Sequence, residues 1–352
     1  MIPLPQLVED TQLPQTIPEA VEAAAQYWTP AMCAAAKPVP LGTMTLQQHA
    51  EICRTVPPTT VLPALRVPPQ LPKAAFTTGR AITRAVQDRT VYPHSVVGKL
   101  RMSVGGAQLV GSAWVIGRRA VITAGHCVYD HGTRRFAEHV QFLPQYHRGP
   151  TVGTWTAVRM TTLREYVNLP VPQRFIYDLA AIVLDRDLPE DLGAAGYTIN
   201  GLLQPGLFQS VGYPAEPAAG FPFDGEVQWQ STGAYQPETD PAAGTTRERN
   251  FAMLNDMTGG CSGGPILTTG SEPVAVGLNS HVLLDNRGRR ETPARMFSPY
   301  FGGAFRRLID WLQENGGLPN ALQPPAPERG TVELKRDLTA VQERLGEIIA
   351  KI

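Results

Sequence analysis

Along the middle of the chain, hydrophobic positions come in short alternating or apolar runs, and Gly, Pro, Asn or Asp interrupts them at brief intervals. Between about residue 90 and 315 the runs are Val96–Val104, Gln108–Ile116, Ala120–Ala124, Leu179–Leu184, Phe208–Tyr213, Val227–Thr232, Pro265–Leu267 and Val274–Leu278. Many strand-length runs with turn residues between them predict an all-β barrel or sandwich rather than alternating strand–helix units. At the end of this region the period changes. Gly302 to Gln313 places Phe305, Leu308, Ile309 and Leu312 on one face of a predicted helix. No internal repeat of fixed period is visible.

The flanks have a different texture. Residues 1 to about 75 hold 13 of the 33 prolines, a density that opposes regular helix or sheet across most of the segment. One helix is predicted there, opened by the capping-box pattern Thr16-Ile17-Pro18-Glu19 and closed before Pro30. Residues 1–89 therefore read as a proline-rich leader, either an extended linker or a pro-segment that covers a site until it is removed. Arg80, Arg84 and Arg89 offer places for a cut. After the body (90–315) and a linker (316–327), residues 328–352 predict an amphipathic helix. Its apolar residues Leu334, Leu338, Val341, Leu345, Ile348 and Ile352 form a heptad seam. Docking on the body and self-association through 331–352 are both open, since so short a coil is marginal alone.

Composition narrows the classes. The 352 residues are 43% apolar and 18% charged, enough for a substantial core, and Lys+Arg equals Asp+Glu at 31 each. A neutral chain lacks the basic field of a nucleic-acid binder. Its apolar runs fall short of a membrane-spanning helix. The start, MIPLPQLVED, lacks the basic and apolar regions of a signal peptide. Cysteines at 33, 53, 127 and 261 fit two disulfides or four free thiols. With no C-x-x-C and no zinc spacing, neither metal nor cofactor is expected.

Three segments carry the chemistry. In Gly259-Gly260-Cys261-Ser262-Gly263-Gly264-Pro265, glycines on both sides of Ser262 let the backbone take positive φ and aim its N–H groups inward. A serine hydroxyl needs a base to take its proton and fixed donors for the oxyanion it creates. In Ala120-Val121-Ile122-Thr123-Ala124-Gly125-His126-Cys127 an apolar strand runs into a histidine, as a rigidly held general base requires. Asp178 precedes the apolar run Leu179–Leu184. A buried carboxylate there needs a partner, and an imidazole N–H would supply one. Each segment alone is unremarkable as a turn, a packed histidine or a strand-initiating aspartate. Their order along the chain, His then Asp then Ser, is one of the few known for a catalytic triad.

Taken together the segments resemble the T-A-A-H-C, D-I-A-L and G-D-S-G-G-P motifs of the chymotrypsin clan. Tyr92-Pro93 with Gly98-Lys99-Leu100, Gly212-Tyr213-Pro214, Asp256-Met257-Thr258-Gly259-Gly260 and Gly277-Leu278-Asn279-Ser280-His281 are similar to its secreted glutamyl-endopeptidase-like branch. The resemblance spans roughly residues 90 to 315. It implies an all-β, chymotrypsin-like double β-barrel with a C-terminal helix, a polypeptide substrate and an extracellular location. It further implies Ser262 as nucleophile, His126 as base, Asp178 as its orienting partner, and an oxyanion hole from the Gly260 and Ser262 N–H groups. Ser280 would lie beside Asp178, and Ser280 to Val282 would pair with the substrate backbone.

Cys261 departs from the pattern. It stands where chymotrypsin-like zymogens carry an aspartate that pairs with a new N-terminus, so that activation route is not expected. The cysteine partner usual for Cys127 is missing from Leu109–Ser112. Cys33–Cys53 is the favoured disulfide, with a Cys127–Cys261 link as a second. Specificity stays open: Asp256, six residues before Ser262, suits a basic side chain, whereas Thr258 and His281 suit an acidic one. Asn279 joins these as a candidate substrate contact. The competing class is a non-catalytic binding or adhesion module that retains the fold.

Overall fold

The computed structural model describes residues 5–11, 16–55, 80–200, 206–236 and 250–318. Within them six strands close a first barrel. Val97–Val104, Ala107–Gly117, Ala120–Thr123, Ala180–Leu184, Trp155–Leu163 and Glu138–Pro144 each pair antiparallel with the next, and the last pairs back to the first. Leu100, Met102, Trp114, Val121, Ile122, Phe142 and Ile182 are buried together. Alternation in these strands is weak because most of their residues are covered on both sides, inside the barrel and beneath the helix or leader.

A second group of strands builds the other lobe. Leu207–Gly212 lies between Trp229–Ala234 and Pro265–Thr268, and the latter pairs on to Val274–Leu278. Asn250–Leu254 pairs with Arg295–Pro299, which meets His281–Leu284. A bridge between Tyr235 and Met253 links the two sheets. Phe208, Phe251, Met253, Cys261, Ile266 and Met296 fill this lobe. The helix Gly303–Glu314 follows, with all four predicted apolar residues buried. Phe305 stacks on Phe301 at 3.8 Å between ring centroids and lies against Trp114 of the first barrel.

The leader is the main departure from the expected organisation. Its helix Ile17–Tyr27 opens with the anticipated capping box, both reciprocal hydrogen bonds between Thr16 and Glu19 being present. Among the described residues up to 89, four strands and two further helices also form. Leu7–Glu9 adds to Trp155–Leu163, Lys37–Pro38 to Ala107–Gly117, Gly42–Thr45 to His281–Leu284, and Ile82–Ala85 to Trp229–Ala234. Proline does not prevent this, because short edge pairings leave the proline nitrogens outside the ladder. Tyr27 stacks on His139 at 4.2 Å, and the Trp28 indole donates to the His139 carbonyl at 2.7 Å. The described residues up to Leu318 form one compact unit. The heptad segment 328–352 lies outside the described residues.

No disulfide links Cys33, Cys127 or Cys261, which are free thiols, so neither favoured pairing is formed. The Cys53 side chain lies outside the described part. Among the described residues no helix is long and apolar enough to cross a membrane, and no cluster of metal-ligating side chains occurs.

Candidate active site

Strand Ala120–Thr123 delivers the chain to a 3₁₀ turn, Gly125–Cys127, that presents His126. Asp178 ends another 3₁₀ turn, Gln173–Tyr177, just before strand Ala180–Leu184. These two strands are barrel neighbours, with Ala180 opposite Thr123, and that register brings the turns together. The His126 Nδ1 lies 2.8 Å from Asp178 Oδ2, and the His126 backbone N–H donates to Oδ1 at 2.9 Å. Ser280 Oγ donates to Oδ2 at 2.6 Å. Burial alone would raise the fully enclosed Asp178 carboxyl, but the neighbouring imidazole and these donors hold it below the usual carboxylate range. The carboxylate is thus satisfied on both oxygens, and it fixes the tautomer that leaves Nε2 as acceptor. Gly125 is closely packed: a Cβ there would lie 2.9 Å from Tyr166 Cδ1 and 3.1 Å from Asp178 Oδ1.

The glycine-rich loop that carries Ser262 is held by its backbone. Gly260 and Gly263 take φ of +93° and +83°. A Cβ on Gly260 would reach within 2.7 Å of the Tyr213 carbonyl oxygen, and one on Gly263 within 2.4 Å of the Ser112 carbonyl oxygen. The Ser112 N–H donates to the Ser262 carbonyl at 2.8 Å, tying the loop to the first barrel. The Cys127 thiol approaches that same carbonyl at 3.7 Å. Both Ser262 Oγ and His126 Nε2 are buried without a hydrogen-bond partner. Burial pushes the Cys261 thiol up to about 12 and raises Cys127 further, so neither competes as a nucleophile.

The remaining predicted residues separate into two groups. Asn279 faces the core: its amide donates to the Cys261 carbonyl at 3.1 Å and its Oδ1 accepts from Ser210 Oγ at 2.6 Å. His281 is fully buried, stacked between Phe175 and Phe297, and burial drives its imidazole down to about 3. A ring held neutral there carries no charge to offer a ligand. Asp256 and Thr258, by contrast, line an open cleft of about 610 Å³ with Glu216, Val282 and Arg290. Asp256 accepts from the Thr83 hydroxyl at 2.9 Å, and Thr258 donates to the Glu216 carbonyl.

Sequence reasoning missed Arg290. Its guanidinium donates to the carbonyls of Asn255, Met257 and Arg295 at 2.6, 2.7 and 3.1 Å, while its Nε has no partner. No carboxylate pairs with it among the described residues. It lies on the hairpin between His281–Leu284 and Arg295–Pro299, and only that fold-back, not sequence spacing, brings it to the cleft. The arginine-rich run Arg287-Gly288-Arg289-Arg290 was the one available signal.

Two barrels flanking these residues, with a helix after the second, define the chymotrypsin-like double β-barrel fold. Solved structures agree on the fold. A thermostable serine protease from an extremophilic microorganism matches 62% of this chain and 97% of its own at TM-score 0.50 and 24% identity. The protease Anisep from Arthrobacter nicotinovorans matches 65% and 98% at TM-score 0.50 and 24% identity. A Glu endopeptidase matches 66% and 96% at TM-score 0.51 and 18% identity. Among curated proteins, the chain is similar to the glutamyl endopeptidase of Bacillus licheniformis, 28% identical over 221 residues. That match spans 59% of this chain and 62% of the relative's length. No family model matches.

Proposed function

We propose that the protein is a serine endopeptidase that cleaves polypeptides after an acidic residue and works outside the cell. Ser262 attacks the scissile carbonyl, His126 takes its proton and returns it to the leaving nitrogen, and Asp178 orients the imidazole and stabilises its charged form. The Gly260 and Ser262 N–H groups receive the oxyanion. The observation that carries this reading is the doubly satisfied, fully buried Asp178 gripping His126 by both ring and backbone. A buried carboxylate that grips an imidazole in this way is what a rigidly positioned general base requires. Treatment with a fluorophosphonate is expected to modify Ser262, and Ser262→Ala is expected to lower kcat by about 10⁶-fold. A chain that remains unmodified after limited proteolysis of the leader would instead favour the binding module.

Arg290 supports the acidic preference. Backbone carbonyls hold the Arg290 guanidinium on the cleft wall with no carboxylate partner among the described residues, a substrate carboxylate would balance its charge, and the similarity to a glutamyl endopeptidase points the same way. A second reading, cleavage after Lys or Arg, rests on Asp256 in the same cleft. Profiling on a peptide library separates the two. Arg290→Ala is expected to reduce the preference for Glu about 10- to 100-fold, the worth of a hydrogen-bonded charge. Asp256→Asn is expected to leave that preference intact or raise it, and a loss of activity on Lys and Arg substrates would establish the second reading.

A further inference from the structure

The leader passes directly between the two barrels where a substrate would lie. Lys37 and Pro38 pair in parallel with Leu109 and Val110 on the first barrel, and the Val39 N–H donates to the Val110 carbonyl at 2.8 Å. The Val39 carbonyl oxygen then accepts from the Gly260 N–H at 3.0 Å. Three residues on, the Gly42 N–H donates to the Ser280 carbonyl at 3.2 Å. Gly42 to Thr45 continue in parallel with His281 to Leu284 on the second barrel. One short segment therefore occupies both strand edges and one of the two donors assigned to the oxyanion.

We propose that Lys37–Thr45 is a built-in inhibitory strap that crosses the substrate cleft, with Pro40, Leu41 and Thr43 forming part of its wall, in a polarity the triad cannot cut. The proposal rests on the reading of Ser262 and Gly260 given above, and it goes further in naming the bond, the contacts and the reason the strap survives. Val39 offers its carbonyl to the oxyanion donor, so the Val39–Pro40 bond is the one presented for attack. Cleavage also requires an imidazole beside the leaving nitrogen to protonate it. His126 belongs to the first barrel, on whose edge the residues before Val39 lie. The chain after Val39, beginning with the Pro40 nitrogen, leads toward the second barrel. The leaving group thus sits on the side away from the acid. A chain of opposite direction would exchange the two sides and become a substrate.

The local sequence suits this role. Pro38 and Pro40 fix φ on either side of Val39 and reduce the entropy lost on ordering the strap. Gly42 is required by close approach: a Cβ there would lie 2.5 Å from a Phe175 ring carbon and 3.0 Å from His281 Cβ. Parallel pairing is slightly weaker per residue than antiparallel. A tethered segment can tolerate that, because tethering gives it a high effective concentration that a cut would remove.

The test compares fluorophosphonate modification rates of the full chain and of Gly42→Val, whose added side chain collides with Phe175 and His281. The substitution is expected to speed Ser262 modification at least 10-fold, with thermal melting checking that the barrels still fold. Replacing both Pro38 and Pro40 by Gly loosens the strap without a collision and is expected to act in the same direction. Equal rates for all three chains, together with faster modification after limited proteolysis, would place the block elsewhere and overturn the strap. Failure to modify Ser262 in any chain, before or after proteolysis, would overturn the nucleophile assignment instead. Polarity is tested by Pro40→Ala: the expected chain stays intact, and a new N-terminus at position 40 would show that the strap runs as a substrate.

Discussion

Three donors converge on Asp178, and they divide the work at the residue scale. The His126 ring and backbone hold the imidazole against the carboxylate, while Ser280 Oγ donates to Oδ2 at 2.6 Å from the second barrel. Ser280 therefore couples the two lobes through the carboxylate. Ser280→Ala is expected to lower kcat about 10-fold, the loss of one hydrogen bond to a charged group, with little change in KM. Steady-state kinetics on a peptide substrate reads this directly. His281, singled out from sequence as a possible receiver of acidic side chains, instead sits between two aromatic rings and is fully buried. Its chemistry was legible and its direction was not, because alternation along a strand does not say which face the neighbouring loops will cover.

At the scale of elements, the helix Gly303–Glu314 and the strand Ile82–Ala85 illustrate opposite cases. The helix was readable since its apolar stripe repeats at helical period, and it closes the first barrel with Phe305 fully buried against Phe301 and Trp114. Phe305→Ala is expected to cost about 3–5 kcal/mol, measurable by urea unfolding as a lower midpoint with unchanged slope. The strand gave no such signal. Ile82 to Ala85 pairs with Trp229 to Thr232, and Thr83 donates to Asp256 at 2.9 Å. Arg84 is thus built into a sheet, and Arg89 donates to the Gln145 carbonyl at 2.9 Å. Arg80 is exposed and precedes the strand. Of the three arginines, a maturation cut is expected at Arg80, and a mature terminus after Arg84 or Arg89 on N-terminal sequencing would contradict it.

At the scale of the whole molecule, buried imidazoles set how stability depends on pH. Burial holds His281 down to about 3 and His131 to about 4, against an ordinary value of 6.5. Below 6.5 the unfolded chain binds protons on both residues and the folded chain does not, so the unfolded state gains. Their contribution is intact above pH 6.5 and is lost progressively toward pH 4 and below. Asp178, whose carboxyl is depressed in the fold, adds to the loss at still lower pH. The melting temperature is expected to fall across this window. His281→Phe, which keeps the stack with Phe175 and Phe297 and removes the titrating group, is expected to flatten that fall in a pH series of thermal melts.

Sequence by itself determined the local, periodic and chemically specific features. Short strands bounded by turn residues, the capping box at Thr16 and the glycines around Ser262 each follow from preferences that act within a few residues. His126, Asp178 and Ser262 stood out because apolar strands and glycine turns prepare their surroundings in the same stretch of chain. Only the tertiary structure decided what crosses the cleft. Arg290 comes to the cleft wall by a hairpin, and Val39 meets Gly260 from 221 positions away in the chain. Contacts across such distances depend on which edges the barrels leave unpaired, and no local pattern records that. A proline-rich stretch that reads alone as a linker becomes ordered because two strand edges supply the hydrogen bonds its own sequence cannot.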